Sequence, residues 1–257
     1  MSIQKQQWTL ISYDLNENNS SLTLKGDEHH YAYHVLRLKE EDKVEITNCH
    51  GLKAEGIVTL ANKKELNLNI NKATHFKKIT PEISLWLAMP KPTTLDEVIS
   101  NASEMGADNI HIFKSDKAAS KAPLKLEKAK QLSFEATRIS KSAYASEIFY
   151  YEGLDLFFNQ HVKNSKTNKL VLFCDESHVY EGKIKNSIFK EIQKNFKNEN
   201  DEICVLIGPE ASFSEREREF IKNNLNCISV SLGNNILRVP NATASALGIV
   251  VNFRNDL

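Results

Sequence analysis

The sequence predicts an α/β protein, a small β domain over residues 1–75 followed by a larger α/β domain over residues 76–257. Three observations carry that reading. The first 75 residues hold short apolar runs separated by polar turns. Beyond about residue 80, strand-type runs alternate with helix-type runs. Near the C-terminus, two strand-type runs end in turns containing Gly208 and Gly233.

In the first region Val44 to Ile46, Ala54 to Leu60 and Leu66 to Ile70 read as strands. The breaks at Asn48 to Gly51 and Ala61 to Lys64 read as turns. A small barrel fits this pattern. Pro81 and the lysines before it mark a boundary near residues 75–80. Strands are then expected at Ile83 to Ala88, Ile110 to Phe113, Leu170 to Cys174, Ile203 to Ile207 and Ile228 to Leu232. Helices are expected at Leu95 to Met105, Leu124 to Ala143, Lys183 to Phe196, Glu215 to Asn223 and Ala242 to Phe253. Such alternation implies a mostly parallel sheet with helices on both faces.

Composition narrows the class. The 257 residues are 41% hydrophobic and 26% charged, with 33 basic and 33 acidic side chains. That is ordinary for a soluble globular chain. No apolar run reaches the ~18 residues of a membrane span, and MSIQKQQWTL lacks a signal-peptide core. Cys49, Cys174, Cys204 and Cys227 form no CxxC pair. Free thiols in a reducing cytosol are expected, hence a cytoplasmic protein. Zero net charge does not advertise a nucleic-acid binder. Residues 114–141, however, hold 8 basic against 3 acidic groups, a stretch that suits either phosphate contacts or a solvated helix face.

The two glycine turns carry the strongest chemical signal. They are LIGPEASFSERE (Leu206 to Glu217) and VSLGNNILRVPNATASAL (Val230 to Leu247). In an open α/β sheet, ligands sit beyond the carboxyl ends of the strands, so one pocket built from both turns is expected. Ser214 and Glu217 have capping-box spacing. Gly208 permits close backbone approach to a ligand. Pro240 suits the first turn of a helix, with Asn241 or nearby backbone as its cap. The small residues Ala242, Ala244, Ser245, Ala246 and Gly248 suit close helix packing. His29, His30 and His34 lack the partners of a zinc set, so no metal is expected. No Ser-His-Asp, P-loop or paired-carboxylate signature appears.

Taken together, these motifs resemble those of the RsmE family, the bacterial 16S rRNA uracil-N3 methyltransferases of the SPOUT (α/β-knot) superfamily. The family pattern is GPEGGFS followed by LGxRILRxETA. HHYAYHVLRLKEEDKVEI (His29 to Ile46) and MPKPTTLDEVISNASEMGADNIHIF (Met89 to Phe113) resemble two further family blocks, in the same order. The resemblance implies a PUA-like, RNA-binding barrel, a knotted methyltransferase domain, a homodimer, S-adenosylmethionine as cofactor and 16S rRNA or the small ribosomal subunit as partner.

It also implies site residues. Ile207, Gly208, Pro209, Glu210, Ala211, Leu232, Gly233, Ile236 and Leu237 correspond to the cofactor loops. Ile236 and Leu237 are expected as an apolar wall for adenine, or as core. Arg238 and Glu210 are the candidate catalytic residues: the guanidinium would bind phosphate, or hold uracil and favour its N3 anion, and the carboxylate would accept a hydrogen bond near cofactor or RNA. Arg37, Lys91 and Arg138 are the candidate RNA contacts.

The chain also departs from the pattern. Ala211 and Ser212 replace two glycines, Pro240 and Asn241 replace the acidic residue and threonine, and Ile139 and Ser142 stand at a glutamine and an arginine. Two alternatives to uracil-N3 methylation follow: a diverged, non-catalytic RNA-binding relative, or a methyltransferase with another RNA target.

Overall fold

The computed structural model describes residues 8–118, 122–176 and 186–257. The chain divides into two compact units, residues 1–78 with 137–145, and residues 79–136 with 146–257.

The first unit contains β1 (Trp8–Ile11), β2 (Ser21–Leu24), α1 (Gly26–His30, running on as a π-helical turn over Tyr31–Val35), β3 (Lys43–Thr47), β4 (Leu52–Ala61), β5 (Leu66–Ile70) and β6 (Thr74–His75). The sheet order is β1-β3-β4-β5-β2, with β6 on β4. Alternation along β2 and β5 puts Leu22, Leu24, Leu66, Leu68 and Ile70 into one core with Leu10, Val44, Ile46 and Val58. β1, β2 and β6 were absent from the expected strand set. Each is only two to four residues long, too short for a periodic signal. Gly56 has a packing reason, since a Cβ there would lie 2.5 Å from Ile46 Cδ1.

Residues 137–145 pair with the β3–β4 turn. Gly51 N–H donates to Ala143 O, and Ala145 N–H donates to Cys49 O.

The second unit is a six-stranded sheet of order β12-β10-β11-β7-β8-β9, and every pairing in it is parallel. Its strands are β7 (Ile83–Ala88), β8 (Asn109–Phe113), β9 (Glu147–Tyr151), β10 (Lys169–Cys174), β11 (Glu202–Ile207) and β12 (Cys227–Val230). Its helices are α2 (Pro92–Glu104), α3 (Leu126–Ser140, whose last residues belong to the first unit), α4 (Leu154–Phe157, continued as a π turn to Val162), α5 (Ile188–Asn195), α6 (Glu215–Asn224) and α7 (Val239–Asn255).

All six residues of β7 and of β11 are buried. That explains their continuous apolar runs, because a parallel strand is covered on both faces. One face packs against α2, α5 and α7 through Leu95, Val98, Ile188, Ile192 and Leu247. The other packs against α4 and α6 through Trp86, Phe157, Phe173, Phe213 and Ile221. Trp86 meets Phe157 edge-on at 4.9 Å, a geometry aromatic pairs prefer. Gly248 of α7 sits where a Cβ would lie 3.3 Å from Met105, so the small residues of this helix permit close packing on the end of α2.

Several boundaries move from those expected. α3 ends at Ser140 rather than Ala143, because Lys141 turns left-handed (φ 60°). α7 begins at Val239, three residues early, because its first turn accepts Pro240. The N-cap is Arg238, without a side-chain cap bond, so Asn241 is not the cap. Residues 183–185 of the expected helix before β11 lie outside the described residues. β9 and α4 were not expected. Among the described residues, no helix is long and apolar enough to cross a membrane.

Candidate cofactor cleft

One cleft of about 560 Å³ opens at the carboxyl ends of β10, β11 and β12. It is lined by Ile207, Gly208, Pro209, Glu210, Leu232, Gly233, Ile236, Leu237, Arg238 and Lys91, so both glycine turns and the α2 N-cap meet there. Its volume lies in the range of small-molecule sites, roughly 300–1,000 Å³. Ala211 is exposed and does not line the cleft, whereas Ser212 does.

The loop after β11 is built for packing first. A Cβ on Gly208 would lie 3.0 Å from the Phe213 ring. This glycine therefore also leaves room for its own core neighbour, while its backbone lines the cleft. Gly233 is different: its φ of +136° suits glycine, and a Cβ there would meet open space.

Ser214 caps α6 by accepting from Glu217 N–H, and Glu217 returns the bond to Ser214 N–H. Glu217 is fully buried and also accepts from Asp116 N–H at 2.9 Å. The capping box thus ties the loop to the segment after β8.

Ser212 carries the strain that the missing glycines imply. Its φ is +60°, which costs a non-glycine residue about 1–2 kcal/mol. Its N–H donates to Pro209 O at 2.9 Å. Its Oγ donates to Glu176 Oε1 and accepts from Arg218 Nη2, both at 2.5 Å. Arg218 also binds Asp175, which is 1% exposed, and Glu176. Asp175 and Glu176 line the cleft, and nothing in their local sequence marked them. Burial opposes the Arg218 charge, but the two carboxylates outweigh it and raise its pKa.

At the rim, Glu210 is exposed and accepts from Lys91 N–H at 3.2 Å. Arg238 is exposed at the N-terminus of the 17-residue α7 and makes no ion pair among the described residues. Cys174 lines the cleft, but burial pushes its thiol up to about 12, so it is no thiolate at neutral pH. Ile236 is half-exposed: it is a wall residue and not core, while Leu237 is partly buried.

Two RNA candidates part company in the first unit. Arg37 is exposed, at φ 55°, in a shallow depression with Tyr33, His34 and Lys39. Arg138 is only 8% exposed. It forks onto both Glu28 oxygens at 2.8 and 2.9 Å, donates to Thr9 O and lies 4.1 Å from the Tyr31 ring centroid. The fork ties Arg138 into the fold, and a phosphate would have to displace that bidentate pair. Elsewhere in the basic segment, Lys114 pairs with Glu152, Lys128 with Asp96 and Lys130 with Glu127. Lys121 lies outside the described residues. His29 is held by Asn62 O at 2.9 Å and stacks on Tyr33.

Toward the amino ends of the strands lies a second polar group. His111, His161 and Glu202 place one potential ligand atom each within 4.8 Å of the others. The Glu202 carboxylate is already engaged by Lys169 and by Ser84 Oγ. Burial, then the nearby charges, lowers His111 to about 2; burial and Lys169 lower His161 to about 4. Both rings are neutral at physiological pH, and this group packs inside the sheet's covering layer.

A ligand cleft at the carboxyl edge of an open parallel sheet defines a cofactor- or nucleotide-binding α/β protein. The comparisons with known proteins make the class specific. Residues 77–251 match the RNA methyltransferase domain, and residues 24–71 match the RNA methyltransferase PUA domain. The chain belongs to this RNA methyltransferase family. It is 28% identical over 235 residues to the ribosomal RNA small subunit methyltransferase E of Rickettsia conorii, covering 90% of each chain. To the protein of that name from Bacillus subtilis it is 24% identical, covering 94% of this chain and 93% of that one. Among solved structures, the Neisseria gonorrhoeae ribosomal RNA small subunit methyltransferase E, bound to S-adenosylmethionine, superposes with a TM-score of 0.77 at 16% identity. The alignment covers 96% of this chain and 98% of that one. A Legionella pneumophila protein solved with the same cofactor gives 0.80 at 18% identity, covering 97% and 98%. The fold class is the expected one, a PUA-like domain followed by an α/β methyltransferase domain.

Proposed function

We propose that this protein is an S-adenosylmethionine-dependent methyltransferase acting on the N3 of a uridine in 16S rRNA, as a homodimer in the cytoplasm. The observation that carries the reading is the single cleft formed by both glycine turns, together with full-length similarity to small-subunit rRNA methyltransferases.

The residues present fit the cofactor. Ile207, Leu232, Ile236 and Leu237 offer apolar surface for an adenine ring. Asp175, Glu176 and Glu210 offer acceptors for ribose hydroxyls and suit a cationic sulfonium, and Lys91 suits a carboxylate. When bound, the cofactor supplies an electrophilic methyl group.

The chain's own side chains do the rest. Uracil N3 is weakly acidic: its proton leaves to solvent water, and the anion left behind needs electrostatic help. Arg238 holds the pyrimidine and stabilises negative charge on N3. The N-terminus of α7 reinforces that effect through its dipole. Glu210 accepts a hydrogen bond at the rim, and Arg37 meets RNA phosphate. Orienting N3 in line with the methyl group then supplies most of the remaining acceleration.

Calorimetric titration with S-adenosylmethionine tests the reading. Saturable binding that is weakened when Gly233→Val strains the second turn, whose φ of +136° suits glycine, supports it. Absence of binding, with and without ribosomal RNA, favours a non-catalytic RNA-binding relative.

A further inference from the structure

We propose that Arg218 is a positioning residue for the cofactor cleft, acting as a latch through Ser212. It stands behind the cleft wall and touches three groups that form it. Its Nη1 holds Asp175, and its Nη2 holds Glu176 and the Ser212 hydroxyl. Asp175 and Glu176 follow β10, Ser212 follows β11, and Arg218 belongs to α6. One guanidinium from a rigid helix therefore fastens the ends of two adjacent strands.

The latch has a definite task. Ser212 closes the Pro209–Ser212 turn in a left-handed conformation (φ +60°) that its Cβ disfavours. Its hydroxyl compensates by sitting between the Glu176 carboxylate and the Arg218 guanidinium. Charge-assisted bonds of this kind are stronger than neutral ones. Arg218 also sets the charge of the wall: without it, Asp175 would remain buried beside Glu176 with less cationic compensation. The shape and charge of the cleft thus depend on a side chain that does not line it.

The inference rests on the reading that this cleft takes S-adenosylmethionine, and the test separates the two. S-adenosylhomocysteine is titrated into wild type, Ser212→Ala, Ser212→Gly and Arg218→Met. Wild-type binding tests the cofactor reading itself. The alanine variant keeps the Cβ strain and loses the tie, so it is expected to bind about tenfold more weakly. The glycine variant loses tie and strain together and is expected to bind within about threefold of wild type. Arg218→Met is expected to lose at least as much as the alanine variant.

Equal losses in alanine and glycine would mean that the hydroxyl touches the cofactor directly, and equal retention would mean that the tie does nothing. Either result overturns the latch. If wild type fails to bind, amide exchange over residues 208–214 tests the latch without the cofactor. Faster exchange in Ser212→Ala than in Ser212→Gly supports the latch, and identical exchange overturns it.

Discussion

The two ends of the parallel sheet carry similar side chains in opposite settings. At the carboxyl end Arg238, Glu210 and Lys91 are exposed around a cleft. At the amino end the Lys169 and Glu202 side chains are 8% and 7% exposed and paired to each other. Burial makes the second group a structural element, because a charge that cannot reach water must keep its partner. Exposure leaves the first group available to a ligand. A similar contrast appears in the first unit, between exposed Arg37 and the buried Arg138–Glu28 fork. Residue type does not separate the members of these pairs; their surroundings do.

The largest effect that would break this contrast is on stability. Lys169→Met strands the Glu202 carboxylate and should cost about 3–5 kcal/mol in urea unfolding. A loss under about 1 kcal/mol would show that the amino-end pair does not hold the fold.

Next comes Arg238→Ala. Methyl transfer should fall about 10²–10³-fold, in line with removal of one electrostatic stabiliser. Stability should stay within about 0.5 kcal/mol, as for other exposed positions. Wild-type turnover in this variant would remove Arg238 from the chemistry.

The third prediction concerns pH. His161 titrates near 6.5 when unfolded and near 4 when folded. The unfolded chain therefore binds the proton first as pH falls. Stability from this group is complete above pH 6.5 and is lost as pH drops toward 4. His111, lowered further, extends the loss toward pH 2. Thermal midpoints measured from pH 7 to pH 4 should fall in wild type and fall less in His161→Phe. Parallel curves would contradict neutral burial of this ring.

The smallest effect is at Arg37. Arg37→Ala should weaken RNA binding evenly across sequences and reduce the salt slope by about one, with the fold unchanged. Arg138→Ala should destabilise the first unit instead. If the two variants behaved alike, their difference in burial would be irrelevant to RNA.

Much of this architecture was legible in the residues. β7 was bounded correctly because all six of its positions are buried and apolar, which leaves no ambiguity of face. β9 was missed because it is an edge strand with Glu147 and Phe149 exposed, so its pattern is diluted. Pro240 was read as suited to a first helical turn, yet the expected helix began only at Ala242; the helix opens at Val239, with Pro240 inside its first turn.

The cleft was legible through its two glycine turns, while its acidic wall was not. Asp175 and Glu176 take their meaning from Arg218, more than forty positions away, and local pattern carries no such pairing. The pairing of Arg138 was hidden for the same reason: its partner Glu28 is 110 positions distant. The lost glycines were visible, but only the backbone shows that Ser212 takes the left-handed position. Nor did anything in the run from Leu124 to Ala143 indicate that residues 137–145 join the first unit.

The most direct test of the account is transfer of a labelled methyl group. Small ribosomal subunits lacking the modification are incubated with this protein and methyl-labelled S-adenosylmethionine. The RNA is then digested to nucleosides and analysed by mass spectrometry. Label in 3-methyluridine, lost with Arg238→Ala, is the predicted result. Label in a different nucleoside, or none at all from folded, cofactor-binding protein, would contradict it.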